Sequence, residues 1–212
     1  MRLELGSRVE CTDGPLGRLA DLVLDPAVNR LTHLVVEPDD APRLARLLPL
    51  ELVERDEAGE TIRLSATLAD VAALPVARAT SERSPAAGDS GDAEWTVGVE
   101  EVVVVPYIPG YDIEPLPPDV ALSYDRIPKD EVELRRASTV DSGDGKRVGT
   151  VDGLVVDVEG RITSVVVVAG RPWRRRGLAI PIAGVAAVRT DAVTLALGKR
   201  EASAQPVVRI RR

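Results

Sequence analysis

Four short blocks of this sequence each have a similar counterpart later in the chain, in the same order and at a nearly constant distance of 131 or 132 positions. The paired segments are 17–25 and 149–157, 30–36 and 161–167, 48–53 and 180–185, and 61–64 and 192–195. A fixed order at a fixed spacing indicates two copies of one module, at about 8–75 and 138–200. Whatever the module folds into, the chain has to form it twice within 212 residues, which suits two small domains.

Each copy has the pattern of several short β-strands. The chain has 31 valines and no phenylalanine, and β-branched side chains fit a pleated sheet better than a helix. The dipeptide 159–160 predicts a two-residue hairpin turn between strands at 149–157 and 161–168. Five or six strands in about 65 residues predict a small closed or half-open barrel, because closure removes exposed sheet edges.

Prolines and one apolar segment predict finer features of each copy. Pro49 and Pro181 are flanked by aliphatic residues. Both segments are predicted as edge strands, because proline donates no hydrogen bond to a ladder. Residues 66–75 predict a short helix that begins at Thr67 as its N-cap and ends near Pro75.

The stretch between the copies divides into two parts. Residues 76–94 offer little for a core to bury and predict a flexible linker. Residues 95–133 are more apolar and hold four of the five aromatic residues, which bury the most surface per residue. We expect this insert to pack on one or both barrels; the alternative is a partner-binding apolar patch. The candidate packing residues are Trp95, Tyr107, Ile108 and Tyr111.

The net charge of −7 conceals an asymmetry between the halves. Residues 1–133 hold 12 Lys or Arg against 27 Asp or Glu, a balance of −15, whereas residues 134–212 hold 15 against 7, a balance of +8. Two explanations stay open. The halves attract each other, within or between chains, or the basic half faces an anionic partner such as RNA, acidic lipid or an acidic protein.

The strongest polar feature is the segment 171–177, which falls between two predicted strands and predicts a protruding loop. Adjacent guanidinium groups repel one another unless an anion is near, and a neighbouring indole offers a stacking face. The corresponding segment 37–43 of the first copy is acidic at its start. The alternatives are a solvated loop, a contact with protein or self, and binding of nucleic acid or anionic membrane. The candidate partner- or anion-binding residues are Arg171, Trp173, Arg174, Arg175 and Arg176.

The repeated blocks resemble the PRC-barrel family: glycines open a strand that ends in Asp, and a second apolar strand and an apolar-Pro-apolar segment follow. The resemblance covers both copies, and the segment 124–136 with the second copy resembles tandem members from actinobacteria. It implies a β-barrel module used for protein–protein or protein–RNA assembly and not for catalysis. The specific roles of individual family members are not carried over.

Residue types that carry catalysis and metal binding are scarce. A single cysteine, Cys11, excludes an intramolecular disulfide, and with the single histidine, His33, it excludes a zinc site of several such ligands. Both residues are predicted to be structural. The Asp- and Gly-rich segment 141–145 is interpreted as a turn, because the closing glutamate of a calcium loop is absent. No apolar run has the length of a membrane helix, and we expect a cytoplasmic location.

Together these features predict an all-β protein: two small PRC-type β-barrels related by internal duplication, joined by a flexible linker and an apolar central insert. We expect a bacterial, non-enzymatic scaffold or adaptor that binds protein partners or itself. The alternative is an RNA- or ribosome-associated assembly factor acting through the basic second barrel. No cofactor, metal or small-molecule substrate is expected. The predicted units are a first barrel at 1–75, a linker at 76–94, an insert at 95–133, a second barrel at 134–200 and a basic tail at 201–212.

Overall fold

The computed structural model describes residues 1–41, 44–54, 61–81, 95–100, 122–170 and 174–210. In these segments the chain is all-β, with seventeen strands, two short α-helices and two 3-10 turns. The predicted all-β class is confirmed. The helices are α1 (Leu68–Ala72) and α2 (Lys199–Ser203).

The strands form two sheets. In chain order they are β1 (Arg2–Glu4), β2 (Arg8–Cys11), β3 (Gly14–Asp25), β4 (Arg30–Pro38), β5 (Leu44–Pro49), β6 (Thr61–Arg63), β7 (Val76–Ser81), β8 (Trp95–Glu100), β9 (Leu122–Pro128), β10 (Val132–Arg135), β11 (Thr139–Asp141), β12 (Arg147–Val156), β13 (Ile162–Ala169), β14 (Arg176–Pro181), β15 (Val185–Arg189), β16 (Ala192–Leu195) and β17 (Val207–Val208). The first sheet has the order β6-β2-β3-β4-β5-β7-β9-β8, and the second has the order β15-β16-β11-β12-β13-β14-β17.

Both half-barrel sheets are built around the same sequence of pairings. In the first sheet β2 pairs antiparallel with β3 and parallel with β6. In the second, β11 makes the same two pairings with β12 and β16. The antiparallel series β3-β4-β5 and β12-β13-β14 then continue each sheet. The internal duplication and the closure into two separate barrels stay predictions.

The first strand of each half is exchanged with the other half. β1 pairs with β12 of the second sheet, where Leu3 lies opposite Leu154. β10 pairs with β3 of the first sheet, where Leu134 lies opposite Leu22. The predicted units 1–75 and 134–200 are therefore not self-contained. The prediction missed this because it assigned strands only to neighbours along the chain.

A second reciprocal contact joins the two sheets between their longest hairpins. The backbone N–H of Leu31 donates to the carbonyl oxygen of Gly160 (3.0 Å), and the N–H of Ile162 donates to that of Asn29 (2.8 Å). Between these bonds Arg30 and Arg161 form an antiparallel bridge. Because the four positions correspond in pairs in the sequence repeat, the contact relates the halves by an approximate two-fold axis.

One large aliphatic core runs through both sheets. Leu3 of β1 and Leu134 of β10 both belong to one cluster of buried hydrophobic residues. The largest fully buried side chains are Leu3, Leu19, Leu22, Leu24, Leu31, Leu34, Leu48, Leu64, Leu134, Leu154, Leu178 and Ile180. Burial of one such side chain contributes about 1.5–3 kcal/mol. The exchanged strands thus bring residues of both halves into one core.

Two glycines at matching positions allow β3 and β12 to cross their partners closely. A Cβ on Gly17 would collide with the carbonyl oxygen of Glu37, and one on Gly149 would collide with that of Val168. These are the glycines that the sequence repeat aligns. Their role is close backbone approach, because any side chain would push the adjacent strand away.

The local predictions had mixed outcomes. The helix with Thr67 as N-cap is confirmed: Thr67 Oγ1 accepts from the N–H of Asp70 (3.2 Å), and the Asp70 carboxylate accepts from the N–H of Thr67 (3.0 Å). The two-residue turn at 159–160 was wrong. Three residues separate Asp157 from Arg161, and the Asp157 carboxylate accepts the N–H of Arg161 at 2.9 Å.

The placement of the Leu-Pro-Leu and Ile-Pro-Ile segments at sheet edges was also wrong. β5 lies between β4 and β7, and β14 lies between β13 and β17. Pro49 and Pro181 are instead the last residues of these strands, and a 3-10 turn follows each. A proline is tolerated there because the ladder ends at that residue.

The predicted linker begins too early. Residues 76–81 form β7, which pairs with β5 and β9, and Ala77 is buried in a small cluster with Ile127. This short apolar pair is sufficient to continue the sheet. Residues 82–94 lie outside the described residues.

The backbone of the insert extends the first sheet. β8 and β9 form an antiparallel pair, and β9 lies against β7. Trp95 opens β8. Its side chain and the candidate packing residues Tyr107, Ile108 and Tyr111 lie outside the described residues, so their packing stays a prediction.

The region predicted as a basic tail, 201–212, contributes one short strand to the second sheet. It holds the end of α2 and the strand β17, which pairs with Gly177 and Leu178 of β14. Arg2 donates from Nη2 to the carbonyl oxygen of Arg209 (2.6 Å). The prediction gave weight to the charges and overlooked the two valines that form β17.

Candidate anion-binding cleft

A cleft of about 530 Å³ opens on the second half, beside β12 and the start of β14. We call it the basic cleft. It is lined by Arg136, Arg147, Gly149, Thr150, Val151, Asp152, Val168, Gly170, Arg175 and Ile210. Three guanidinium groups and one carboxylate therefore share one opening.

The three arginines reach the basic cleft from separate parts of the chain. Arg136 follows the exchanged strand β10, Arg147 opens β12, and Arg175 directly precedes β14. All three are exposed. Arg147 Nε lies 3.5 Å from Asp141 Oδ1 in a solvent-exposed pair, which is a weak interaction. The guanidinium groups are accordingly available to an anion.

Glycine at two positions shapes the wall of the basic cleft. Gly149 brings β12 against β13, as described above. Gly170, at the end of β13, has a φ of +105°, and a Cβ there would collide with the carbonyl oxygen of Arg174. Glycine adopts this conformation readily, and it allows Gly170 to lie against the backbone of Arg174, next to Arg175.

Asp152 is the one acidic residue that lines the basic cleft. It occupies the bulge where the register of β12 against β13 shifts between Val151 and Gly153. Only 7% of its surface is exposed. Its Oδ2 is buried and has no hydrogen-bond partner in the part of the chain that the structure describes.

Burial raises the pKa of the Asp152 carboxyl, while the positive charges of Arg136 and Arg2 oppose that rise. At neutral pH the ionised carboxyl therefore destabilises the folded protein, because its Oδ2 is shielded from solvent and has no hydrogen-bond donor among the described residues.

The first half has a different cleft at the related position. It has a volume of about 340 Å³, and Asp39 and Asp40 line it together with apolar residues that include the partly exposed Leu44 and Leu68. The bulge in β3 between Leu19 and Asp21 holds Ala20 where β12 holds Asp152. Arg46 also lines this cleft beside the two aspartates, so the cluster of three arginines is a feature of the basic cleft.

The predicted loop residues are only partly brought to the basic cleft. Arg174, Arg175 and Arg176 are all exposed, and of these Arg175 lines the cleft. Arg171 and Trp173 lie outside the described residues. The predicted end of the loop at residue 177 was wrong, because Arg176 pairs with Ala169 and Gly177 with Val168 in β14.

Sequence reasoning missed Arg136, Arg147 and Asp152. One signal for Asp152 was present: a lone charged residue inside the apolar strand 148–156, where a buried carboxylate calls for an explanation. The two arginines lack any such signal. Only the three-dimensional arrangement brings them together.

The Asp-rich segment 141–145 is a turn, as predicted. Lys146 Nζ lies 2.7 Å from Asp144 Oδ2, and Asp144 Oδ1 accepts from the N–H of Lys199 at the start of α2 (3.2 Å). Hydrogen bonds from Lys146 and Ser142 hold the pKa of Asp144 well below its usual value. Among the residues that the structure describes, no group of three His, Cys, Asp or Glu is arranged to hold a metal ion.

Cys11 and His33 occupy structural positions. Cys11 is buried, and burial raises the pKa of its thiol, with Asp13 and Asp70 adding to the rise. A thiol in this state is a poor nucleophile. His33 Nδ1 lies 3.5 Å from Glu131 Oε2, beside the entry to β10.

Comparison with protein families assigns the second half. Its sequence, from the second residue of β10 to the start of α2, matches one domain family. Residues 133–200 match the PRC-barrel domain. All but one of the residues that line the basic cleft belong to the PRC-barrel domain, the exception being Ile210. No curated protein matches the chain.

None of the helices in the described segments is long and apolar enough to cross a membrane.

Proposed function

We propose that the protein is a non-enzymatic scaffold that binds a protein partner through the basic cleft. The observation that carries the proposal is the meeting of Arg136, Arg147 and Arg175 at one opening. With Asp152 the cleft has a net charge of +2. It lies on a PRC-barrel domain, which in general mediates protein interactions. Planar guanidinium groups are well suited to bind carboxylates in pairs of hydrogen bonds.

We further propose that the first half is a second, diverged PRC-type barrel that arose by internal duplication. The common order of strand pairings supports this, as do the matched glycines Gly17 and Gly149 and the reciprocal exchange of β1 and β10. In this arrangement the first half acts as a framework and the second half carries the contact surface. The proposal includes no catalytic step and assigns the protein to the cytoplasm.

Replacing the three cleft arginines tests the proposal. The full-length variant Arg136→Gln, Arg147→Gln, Arg175→Gln is compared with Arg174→Gln, Arg189→Gln, Arg200→Gln, which removes the same charge from exposed positions outside the cleft. We expect the first variant to lose protein partners captured from nuclease-treated lysate and the second to retain them. Equal capture by both variants would contradict the proposal.

The second candidate function is an RNA- or ribosome-associated assembly factor. Arg174, Arg175 and Arg176 favour it, because three consecutive exposed guanidinium groups stand on a half of net charge +8. Binding of a single-stranded RNA oligonucleotide should then fall steeply with salt, with a slope of about 0.7 per phosphate contact.

The variant Arg174→Ser, Arg175→Ser, Arg176→Ser tests this candidate. It should flatten the salt dependence of RNA binding and leave the free energy of unfolding within about 0.5 kcal/mol per substitution, because all three side chains are exposed. An unchanged salt slope would argue against RNA. Unfolding of this variant would show that the arginines are structural.

A further inference from the structure

Asp152 brings a carboxylate, which accepts hydrogen bonds, into a cleft whose other charged residues are arginines. Its Oδ2 is buried and accepts no hydrogen bond among the described residues, although Arg136 and Arg2 are near enough to affect its charge. A buried carboxylate oxygen that has lost water and gained no donor destabilises the folded protein. An unsatisfied group of this kind in a native structure calls for an explanation.

The fold itself does not require an acid at this position. Ala20 occupies the corresponding bulge of β3, in a sheet with the same order of strands. The backbone geometry of the bulge therefore forms equally with a methyl side chain. The cost of Asp152 is specific to the second half, where the three arginines lie around it.

The two kinds of group together define the ligand. The guanidinium groups of Arg136, Arg147 and Arg175 donate to an oxyanion. Asp152 Oδ2 needs an N–H or O–H donor within a few ångströms of that anion. The hydrogen phosphate dianion also carries one O–H donor beside its acceptor oxygens, and it is therefore the competitor that a peptide has to outbind. One acidic residue of a peptide supplies both, a side-chain carboxylate and its own backbone N–H.

We propose that the basic cleft binds an acidic peptide segment of a protein partner, with Asp or Glu carboxylates on the three arginines and a backbone N–H donating to Asp152 Oδ2. The inference rests on the proposed function and specifies the partner. Two carboxylates would balance the net charge of +2 in the cleft.

The proposed hydrogen bond and simple charge attraction predict opposite changes in peptide affinity for the variant Asp152→Ala. If charge alone governed binding, Asp152→Ala would raise the affinity for an acidic peptide by removing a repulsive charge. If Asp152 accepts a peptide N–H, Asp152→Ala lowers the affinity, and Asp152→Asn retains more of it because the amide oxygen still accepts. Ala20 indicates that the alanine variant folds.

The experiment measures binding of a fluorescein-labelled hexaglutamate peptide to the full-length chain and its variants at low salt. We expect Asp152→Ala to weaken binding about tenfold, the equivalent of one charge-assisted hydrogen bond. A series of peptides is then made, each with a single N-methyl group at a different backbone nitrogen. One peptide of the series should bind the unmodified chain about tenfold more weakly than the unmethylated peptide does. That peptide should bind Asp152→Ala as tightly as the unmethylated one does.

Tighter binding by Asp152→Ala, or no effect of any N-methyl group, would overturn the inference. If the arginine triple variant loses the peptide in that case, the proposed function still stands. If inorganic phosphate or a single-stranded RNA competes at lower concentration than the peptide, the cleft is a site for another anion. If the arginine triple variant binds the peptide normally, the proposed function falls as well.

Discussion

The two clefts lie beside corresponding strands and differ in charge: three arginines and one aspartate line the basic cleft, whereas two aspartates and Arg46 line the other. The bulge holds Asp152 in the second half and Ala20 in the first, and β12 opens at Arg147 where β3 has Pro15. The segment between β13 and β14 contributes Arg175 to the basic cleft, whereas the segment between β4 and β5 contributes Asp39 and Asp40 to the other cleft. The positions that determine the backbone match, whereas the positions that face the opening differ.

The comparison separates residues that build the fold from residues that act on its surface. Gly17 and Gly149 have the same close contact with a neighbouring carbonyl, and Leu3 and Leu134 have the same place in opposite sheets. Asp152 has no such counterpart. A residue that only one half needs, at a cost to stability, points to binding.

The exchange of β1 and β10 should give the largest effect on stability. Leu134→Ala is expected to lower the free energy of unfolding by about 2–5 kcal/mol, because Leu134 is fully buried and its removal leaves a cavity. Since both halves share one core, chemical denaturation should show a single transition shifted to lower denaturant. Two transitions, of which only one shifts, would show that the halves are independent.

The matched glycines test whether the two backbones are equally constrained. Gly149→Ala and Gly17→Ala should each cost about 2–3 kcal/mol, because a Cβ would force apart strands that touch. Thermal unfolding of both variants measures this. Gly145→Ala is the control: nothing lies near its Cβ, so only its φ of +72° costs free energy, about 1 kcal/mol. Equal losses at all three positions would contradict the close-approach argument.

Asp152→Ala should stabilise the protein at neutral pH by about 1 kcal/mol or more, because it removes a buried, unsatisfied carboxylate. The gain depends on pH. Burial raises the pKa of Asp152 above its usual 3.8, so the native chain is penalised only where this carboxyl is ionised. The advantage of the variant should shrink as pH falls through the raised pKa and vanish below the usual value. Denaturation from pH 3 to 7 measures it, and an advantage that grows toward low pH would contradict the assignment.

The helix N-caps offer the smallest and most closely matched comparison. α1 begins at Thr67, whose hydroxyl caps the helix, whereas α2 begins at Gly198, which has no side chain to do so. Thr67→Gly should cost a few tenths of a kcal/mol, and Gly198→Ser should gain a similar amount. Urea denaturation of the two single variants measures both. Changes of the same sign would show that the caps are not equivalent.

Much of the fold could be predicted from the sequence because its signals are local. The strands follow from valine-rich runs between glycines, and α1 follows from Thr67 and Pro75. The exchange of β1 and β10 could not be predicted in this way. Leu3 meets Leu154 across about 150 residues, and every local pattern in β1 is equally satisfied by a neighbour in its own half.

The candidate site was predicted only in its general character. The charge difference between the halves and the cluster 174–176 indicated a basic surface on the second half. Its composition depends on three separate segments that deliver Arg136, Arg147 and Arg175 to one opening. The spacing of these arginines in the sequence does not predict that they lie together, because their proximity depends on where β10, β12 and β14 lie in the fold.

The reciprocal strand exchange also has a consequence for the order in which the protein is made. β10 belongs to the first sheet, but it leaves the ribosome after β2 to β9. At about 5–20 residues per second, the hundred or so residues between β3 and β10 take roughly 5–20 seconds to synthesise. Throughout that time β3 exposes the flank that Leu134 later covers. Until β10 is synthesised, the nascent first half therefore has an exposed apolar strand edge and is prone to aggregation.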